Sequence, residues 1–171
     1  MEMLYAPWRE KYTADATHGP QGKDDAPSSI CVFCQHLQNK NDKASFILGR
    51  YKRCYVVLNR YPYNGGHLLV LPFEHKSQLS ELSSETRNEL IELISQSTSI
   101  LQEELDAKGI NIGLNMGKAA GAGIPSHLHF HVLPRWHGDT NFLPTLGNVK
   151  PVSVDLETVY KKLKPRFAHL K

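Results

Sequence analysis

The sequence predicts an α+β fold: a mostly antiparallel five-stranded sheet, one long helix and a short C-terminal helix. Short runs rich in β-branched and aromatic residues follow one another closely, a single long segment has helical periodicity, and a stretch after two prolines reads as a second helix. Residues 44–50 (ASFILGR) and 54–59 (CYVVLN) flank a short charged turn and read as an antiparallel hairpin. RYPYNGG is a turn-rich connection into a third strand, residues 67–71 (HLLVL), stopped by Pro72. Residues 83–107 form the long helix, with Leu90, Ile94, Thr98, Leu101 and Leu105 on one stripe. Ser83 caps its start, Glu85 sits in its first turn, and Gly109 fits just past its end. Strands at 110–115 and 127–134 follow, joined by MGKAAGAGIPS, and the second helix spans residues 156–163.

A chain of 171 residues suggests one domain, large enough to bury roughly 70% of its unfolded surface without a disulfide framework. Residues 1–29 are expected to stand apart as an arm (LYAPWREKY) and a polar, Gly- and Pro-rich flexible linker, leaving 30–171 as the domain. The hydrophobic share of 40% and charged share of 22% are ordinary for a globular protein, and a net charge of +3 is too small to argue for nucleic acid. No stretch approaches the ~20 apolar residues of a membrane span. The N-terminus lacks the apolar run of a signal peptide, and the three cysteines are few and odd in number, which points to the cytoplasm.

The chemistry concentrates in Ser126-His127-Leu-His129-Phe-His131-Val-Leu-Pro134. Strand alternation puts His127, His129 and His131 on one face and Leu128, Phe130 and Val132 on the other. Packing explains the apolar face and leaves three aligned imidazoles unexplained. One metal ion collects them poorly: alternate Cα atoms lie ~6.6 Å apart and the outer pair ~13 Å, whereas a Zn–N bond is about 2.0–2.1 Å. Nucleophilic catalysis fits better, since a neutral imidazole near its pKa of about 6.5 is available at physiological pH and its neighbours can fix its tautomer or move protons.

The segment His127-Leu-His129-Phe-His131-Val-Leu resembles the His-φ-His-φ-His-φ-φ signature of the histidine-triad (HIT) nucleotide hydrolases and transferases. The likeness runs from about Cys31 to about Phe142 and includes Tyr63-Asn-Gly-Gly-His67-Leu-Leu-Val-Leu-Pro72. HLHFHVLPRWHGDTNF together with PYNGGHLLVLP is most similar to the branch of diadenosine tetraphosphate phosphorylases. That resemblance implies a HIT-like fold, usually homodimeric and sometimes tetrameric, acting on an adenine nucleotide or dinucleoside polyphosphate. It implies His129 as the nucleophile that accepts a nucleoside monophosphate and His131 as its support near the scissile phosphate. By the same likeness Asn59 contacts ribose, His67 shapes the nucleotide pocket and Asn115 lies near the phosphates. Strand-end capping is the simpler reading of the two asparagines.

The loop Gly117-Lys118-Ala-Ala-Gly121-Ala-Gly123 has glycines that let backbone N–H groups wrap an anion, with Lys118 adding charge. It lacks the Gly-Lys-Ser/Thr ending of a Walker loop. Gly123 stands where the family usually has a polar side chain, which removes side-chain help to the leaving group from that position. Cys31-Val-Phe-Cys34 alone is a redox pair, an unused thiol pair or half of a zinc site. The resemblance implies a structural zinc on Cys31, Cys34, His75 and His127, with His36 a competing ligand. Cys54, inside a strand, reads as a buried small residue.

Overall fold

A computed structural model of the chain describes residues 31–147 and 155–170, so the expected arm and linker lie outside the described residues. Helix α1 (Val32–Gln38) opens them. Strands β1 (Ile47–Arg50), β2 (Cys54–Leu58) and β3 (Leu68–Pro72) follow, then the long helix α2 (Ser84–Leu105). Strands β4 (Gly109–Leu114) and β5 (Phe130–Arg135) complete the sheet, and helices α3 (Leu143–Gly147) and α4 (Leu156–Ala168) end the chain. The strand order is β1-β2-β3-β5-β4 and every pairing is antiparallel. The α+β architecture read from the sequence is the one observed.

Both faces of the central strands are covered, so β2 and β3 are buried throughout. Val56, Leu58, Leu68, Val70, Leu128 and Val132 pack beneath α2 and α4. Ile47, Tyr55, Val57, Leu69 and Leu71 form a second cluster with Cys31 and Phe33. The register places His131 opposite Leu69, and Leu69 opposite Val57. Paired residues share a face, so His131 belongs to the side covered by α1.

Several boundaries differ from the sequence reading for local reasons. The first strand starts at Ile47, because Phe46 takes a left-handed φ of 54° and the Ile47 N–H donates to the Asp42 carbonyl at 2.8 Å. Ser83 does cap α2, accepting from the Thr86 N–H at 3.1 Å. The left-handed position beyond that helix is Asp106 rather than Gly109, and Gly109 instead opens β4 opposite Arg135. Thr98 lies off the buried stripe, which is made by Thr86, Leu90, Leu93, Ile94, Ser97, Ile100 and Leu101. The helices α1 and α3 were not foreseen, and the C-terminal helix is longer than expected, continuing to Ala168 with Pro165 inside it.

Candidate active site

The strand carrying the histidine trio begins three residues later than its sequence suggests. Only His131 lies in β5; His127, at a bend, and His129 occupy the approach to it. There the Leu128 N–H donates to the Lys76 carbonyl at 2.7 Å, beyond the end of β3, so the ladder is interrupted while the alternation survives. Leu128 and Val132 enter the α2 core, and His127 and His129 are buried against Phe33 of α1, at ring-centroid distances of 5.5 and 5.2 Å.

Backbone partners fix the tautomers of His127, His129 and His67, because a carbonyl can only accept and an N–H can only donate. His127 Nε2 lies 3.0 Å from the Pro72 carbonyl and therefore carries the proton, leaving the lone pair on Nδ1. His129 Nδ1 donates to the His127 carbonyl at 2.8 Å, so its Nε2 keeps a lone pair. His67 Nδ1 accepts from the Tyr63 N–H and from the Asn59 amide, each at 3.1 Å. Its proton then sits on Nε2 and is donated to His131 Nδ1 at 2.9 Å. Among the described residues, His131 Nε2 is left as a buried N–H without a hydrogen-bond partner. An unmet buried donor costs about 1–3 kcal/mol. The cluster thus offers one nucleophilic nitrogen and one unsatisfied donor on rings whose centroids are 5.0 Å apart.

Burial keeps these rings neutral. It pushes His67 down to about 3, with His131 and His129 adding to the effect, and His131 down to about 4, with His129 adding. His129 is lowered by burial and partly restored by its hydrogen bond to the His127 carbonyl. Tyr63 lies nearly parallel to the His131 ring, 5.7 Å between centroids at 19°.

Among the described residues, Cys31, Cys34, His75 and His127 form a second cluster whose four ligand atoms all lie within 4.8 Å of one another. The Sγ–Nδ1 separations are 3.6 Å from Cys31 to His127, 3.6 Å from Cys34 to His127 and 3.3 Å from Cys34 to His75. Tetrahedral zinc with its usual bond lengths would hold S and N about 3.6 Å apart. Burial and the neighbouring Cys31 push the Cys34 thiol up to about 11, a cost that a cation among the sulfurs relieves. The donor set, its spacing and the tautomer of His127 all fit such an ion. His36 is not in the cluster.

The other expected positions surround this core. Asn59 touches His67 directly, and its side-chain oxygen accepts from the Tyr61 N–H at 3.0 Å. Asn115 is half-buried just past β4. Gly117 and Gly121 bracket a single 3₁₀ turn, Lys118–Ala120, and take φ of 81° and 87°, which only glycine adopts without strain. Lys118 is exposed, and Gly123 needs no left-handed backbone. Sequence reasoning gave no role to Phe33, Tyr63, Asn64 or Asp139. All four lie within quoted motifs, yet their contacts depend on distant elements.

The chain belongs to the HIT domain family, whose model matches residues 40–138. It is 33% identical over 171 residues to the AP-4-A phosphorylase of Mycobacterium tuberculosis, covering 98% of this chain and 85% of that protein. It is 30% identical over 105 residues to the adenosine 5'-monophosphoramidase of Schizosaccharomyces pombe, covering 61% of this chain and 74% of that one. A zinc-bound histidine triad family protein from Mycobacterium smegmatis is similar in structure, with a TM-score of 0.65 and 28% identity over 80% of this chain and 92% of its own.

Proposed function

We propose that this protein cleaves dinucleoside polyphosphates, diadenosine tetraphosphate foremost, by transferring a nucleotidyl group through His129 to inorganic phosphate. The observation that carries this reading is the His129 tautomer: Nδ1 is committed to the His127 carbonyl, and Nε2 is left with its lone pair. That nitrogen attacks the α-phosphorus, the P–O bond to the leaving nucleotide breaks, and a nucleotidyl-histidine forms. His131 Nε2–H, held by the relay from His67, donates to a phosphate oxygen as charge develops. Phosphate then attacks the same phosphorus and frees His129, so that diadenosine tetraphosphate gives ADP and ATP. Backbone N–H groups of the loop at Gly117 and Gly123 would donate to phosphate oxygens, with Lys118 adding charge, Asn115 beside them and Asn59 assigned to ribose, while the Gly121 N–H is spent on the Lys118 carbonyl at 2.9 Å. The likeness to the M. tuberculosis phosphorylase supports this choice of substrate and acceptor.

Zinc on Cys31, Cys34, His75 and His127 is the structural part of the same reading. Such an ion would tie α1 to the approach of β5, holding His127, whose carbonyl orients the nucleophile. The protein is read as a cytoplasmic homodimer, with a tetramer as its larger assembly. No helix among the described residues is long and apolar enough to cross a membrane. The similarity to a monophosphoramidase favours a second reading, hydrolysis of nucleoside phosphoramidates through the same histidine. Product analysis of diadenosine tetraphosphate with and without inorganic phosphate, run beside an adenosine 5'-phosphoramidate, separates the two. Phosphate-dependent ADP plus ATP is expected. AMP formed without phosphate would replace the phosphorylase by a hydrolase.

A further inference from the structure

The segment following β5 carries a buried carboxylate that the nucleotidyl-transfer chemistry leaves unused. Asp139 has a side chain only 6% exposed. Its Oδ2 accepts from Arg135 Nε at 2.6 Å, from Asn64 Nδ2 at 2.8 Å and from the Trp136 N–H at 3.2 Å, and its Oδ1 accepts from Arg135 Nη2 at 2.9 Å. Asn64 is itself buried, and the same amide also donates to the Pro134 carbonyl at 3.1 Å. An amide nitrogen has two protons, so Asn64 spends both on tying its turn to the end of β5. That turn is the one facing the histidines. The Asn64 carbonyl accepts the His67 N–H at 3.2 Å, and the preceding residue, Tyr63, donates its backbone N–H to His67 Nδ1. Gly66 closes the turn at φ +80°, where a Cβ would come within 2.5 Å of Leu105.

We propose that Asp139 is a positioning residue which, through Asn64, holds the Tyr63 N–H against His67 Nδ1 and so keeps the His131 proton on Nε2. The chain of contacts is continuous: Asp139 to Asn64, Asn64 and Tyr63 to His67, His67 to His131. Loss of the carboxylate leaves the Arg135 guanidinium and the Asn64 amide without their shared acceptor and frees the turn. His67 can then exchange its tautomer, which removes the donor from His131 Nε2. Asn59 still reaches His67 Nδ1, so the relay weakens rather than vanishes.

This inference rests on the reading of His129 and His131 as catalytic, and its test separates the two. In the intact protein, two-bond ¹H–¹⁵N correlations of the imidazole rings read each histidine's tautomer directly, independently of turnover. The protein with Asp139→Ala is expected to show mixed tautomers at His67 and His131, kcat lowered roughly 10- to 100-fold and KM within about threefold. Asp139→Glu, which keeps the carboxylate, should recover part of both signals. Asn64→Ala gives the same readout by itself where Asp139→Ala does not fold, and the double variant should be no worse than the more damaging single one. Unchanged tautomers and kcat in a folded Asp139 or Asn64 variant would overturn the proposal, leaving these residues with a purely structural role. Altered tautomers in a protein that never turns over nucleotides would preserve the positioning role while removing the catalytic reading.

Discussion

At the scale of single residues, three of the clustered imidazoles each have one nitrogen committed to a partner that cannot change its own role, and the fourth, His131, is set through His67. The Pro72 and His127 carbonyls and the Tyr63 N–H commit His127, His129 and His67 in turn. The His129 Nε2 lone pair and the His131 Nε2 proton are therefore set before any ligand arrives, the kind of preorganisation that electrostatic catalysis requires. Replacing His129 by Ala is expected to remove turnover and leave nucleotide binding largely intact, measured by steady-state kinetics beside a binding titration. Activity at a tenth of the parent's or more would mean that another group forms the bond. Asn59 sits between two roles, touching His67 while being assigned to ribose. Asn59→Ala should raise KM roughly fivefold, about one net hydrogen bond, with a smaller fall in kcat because the Tyr63 N–H still acts on His67. A fall confined to kcat would assign Asn59 to the relay instead.

At the scale of elements, α1 and the approach to β5 meet through the Cys/His cluster. Phe33 of α1 packs on both His127 and His129, so the helix that carries Cys34, with Cys31 as its N-cap, also walls His129. Helix α1 has only seven residues. A helix that short has little stability of its own and depends on what anchors it. Purified protein should contain about one zinc per chain, and removing it with a chelator should lower Tm by more than about 5 °C while reducing activity. A metal-free protein with the same Tm and turnover would show that the four side chains pack without an ion. Much of this arrangement was legible from residue identity: the trio, the CxxC pair and the strand runs follow from spacing and side-chain type. What stayed hidden depends on contacts between distant segments. The seven-residue α1 has too few turns to show a period, Phe46 gives no sign of its left-handed backbone, and Asp139 gains meaning only once Asn64 is beside it. The start of β5 moved because Leu128 bonds Lys76, a partner no local pattern names.

At the scale of the whole molecule, the sheet brings neutral histidines into an interior that resists their protonation. His67 and His131 are held at about 3 and about 4, below the ordinary value of about 6.5 that they regain on unfolding. Below about pH 6.5 the unfolded chain therefore binds protons that the folded one refuses, so stability falls as pH falls and the loss levels off once pH drops below about 3 to 4. Denaturant midpoints between about pH 6.5 and 4.5 (the upper part of the window between those values) should decline, and His67→Gln should flatten the decline. A midpoint that holds steady across that span in the parent protein would contradict the buried, neutral pair. The same neutrality at His129 makes a covalent route available at physiological pH.

The central claim is that the nucleotidyl group visits His129 on its way to the acceptor, and the stereochemical course at phosphorus tests it most directly. A substrate with a single-configuration α-phosphorothioate is turned over, and the configuration of the product is determined. Two in-line displacements, one by His129 and one by the acceptor, predict net retention. Net inversion would mean a single direct displacement and would contradict the nucleotidyl-histidine mechanism.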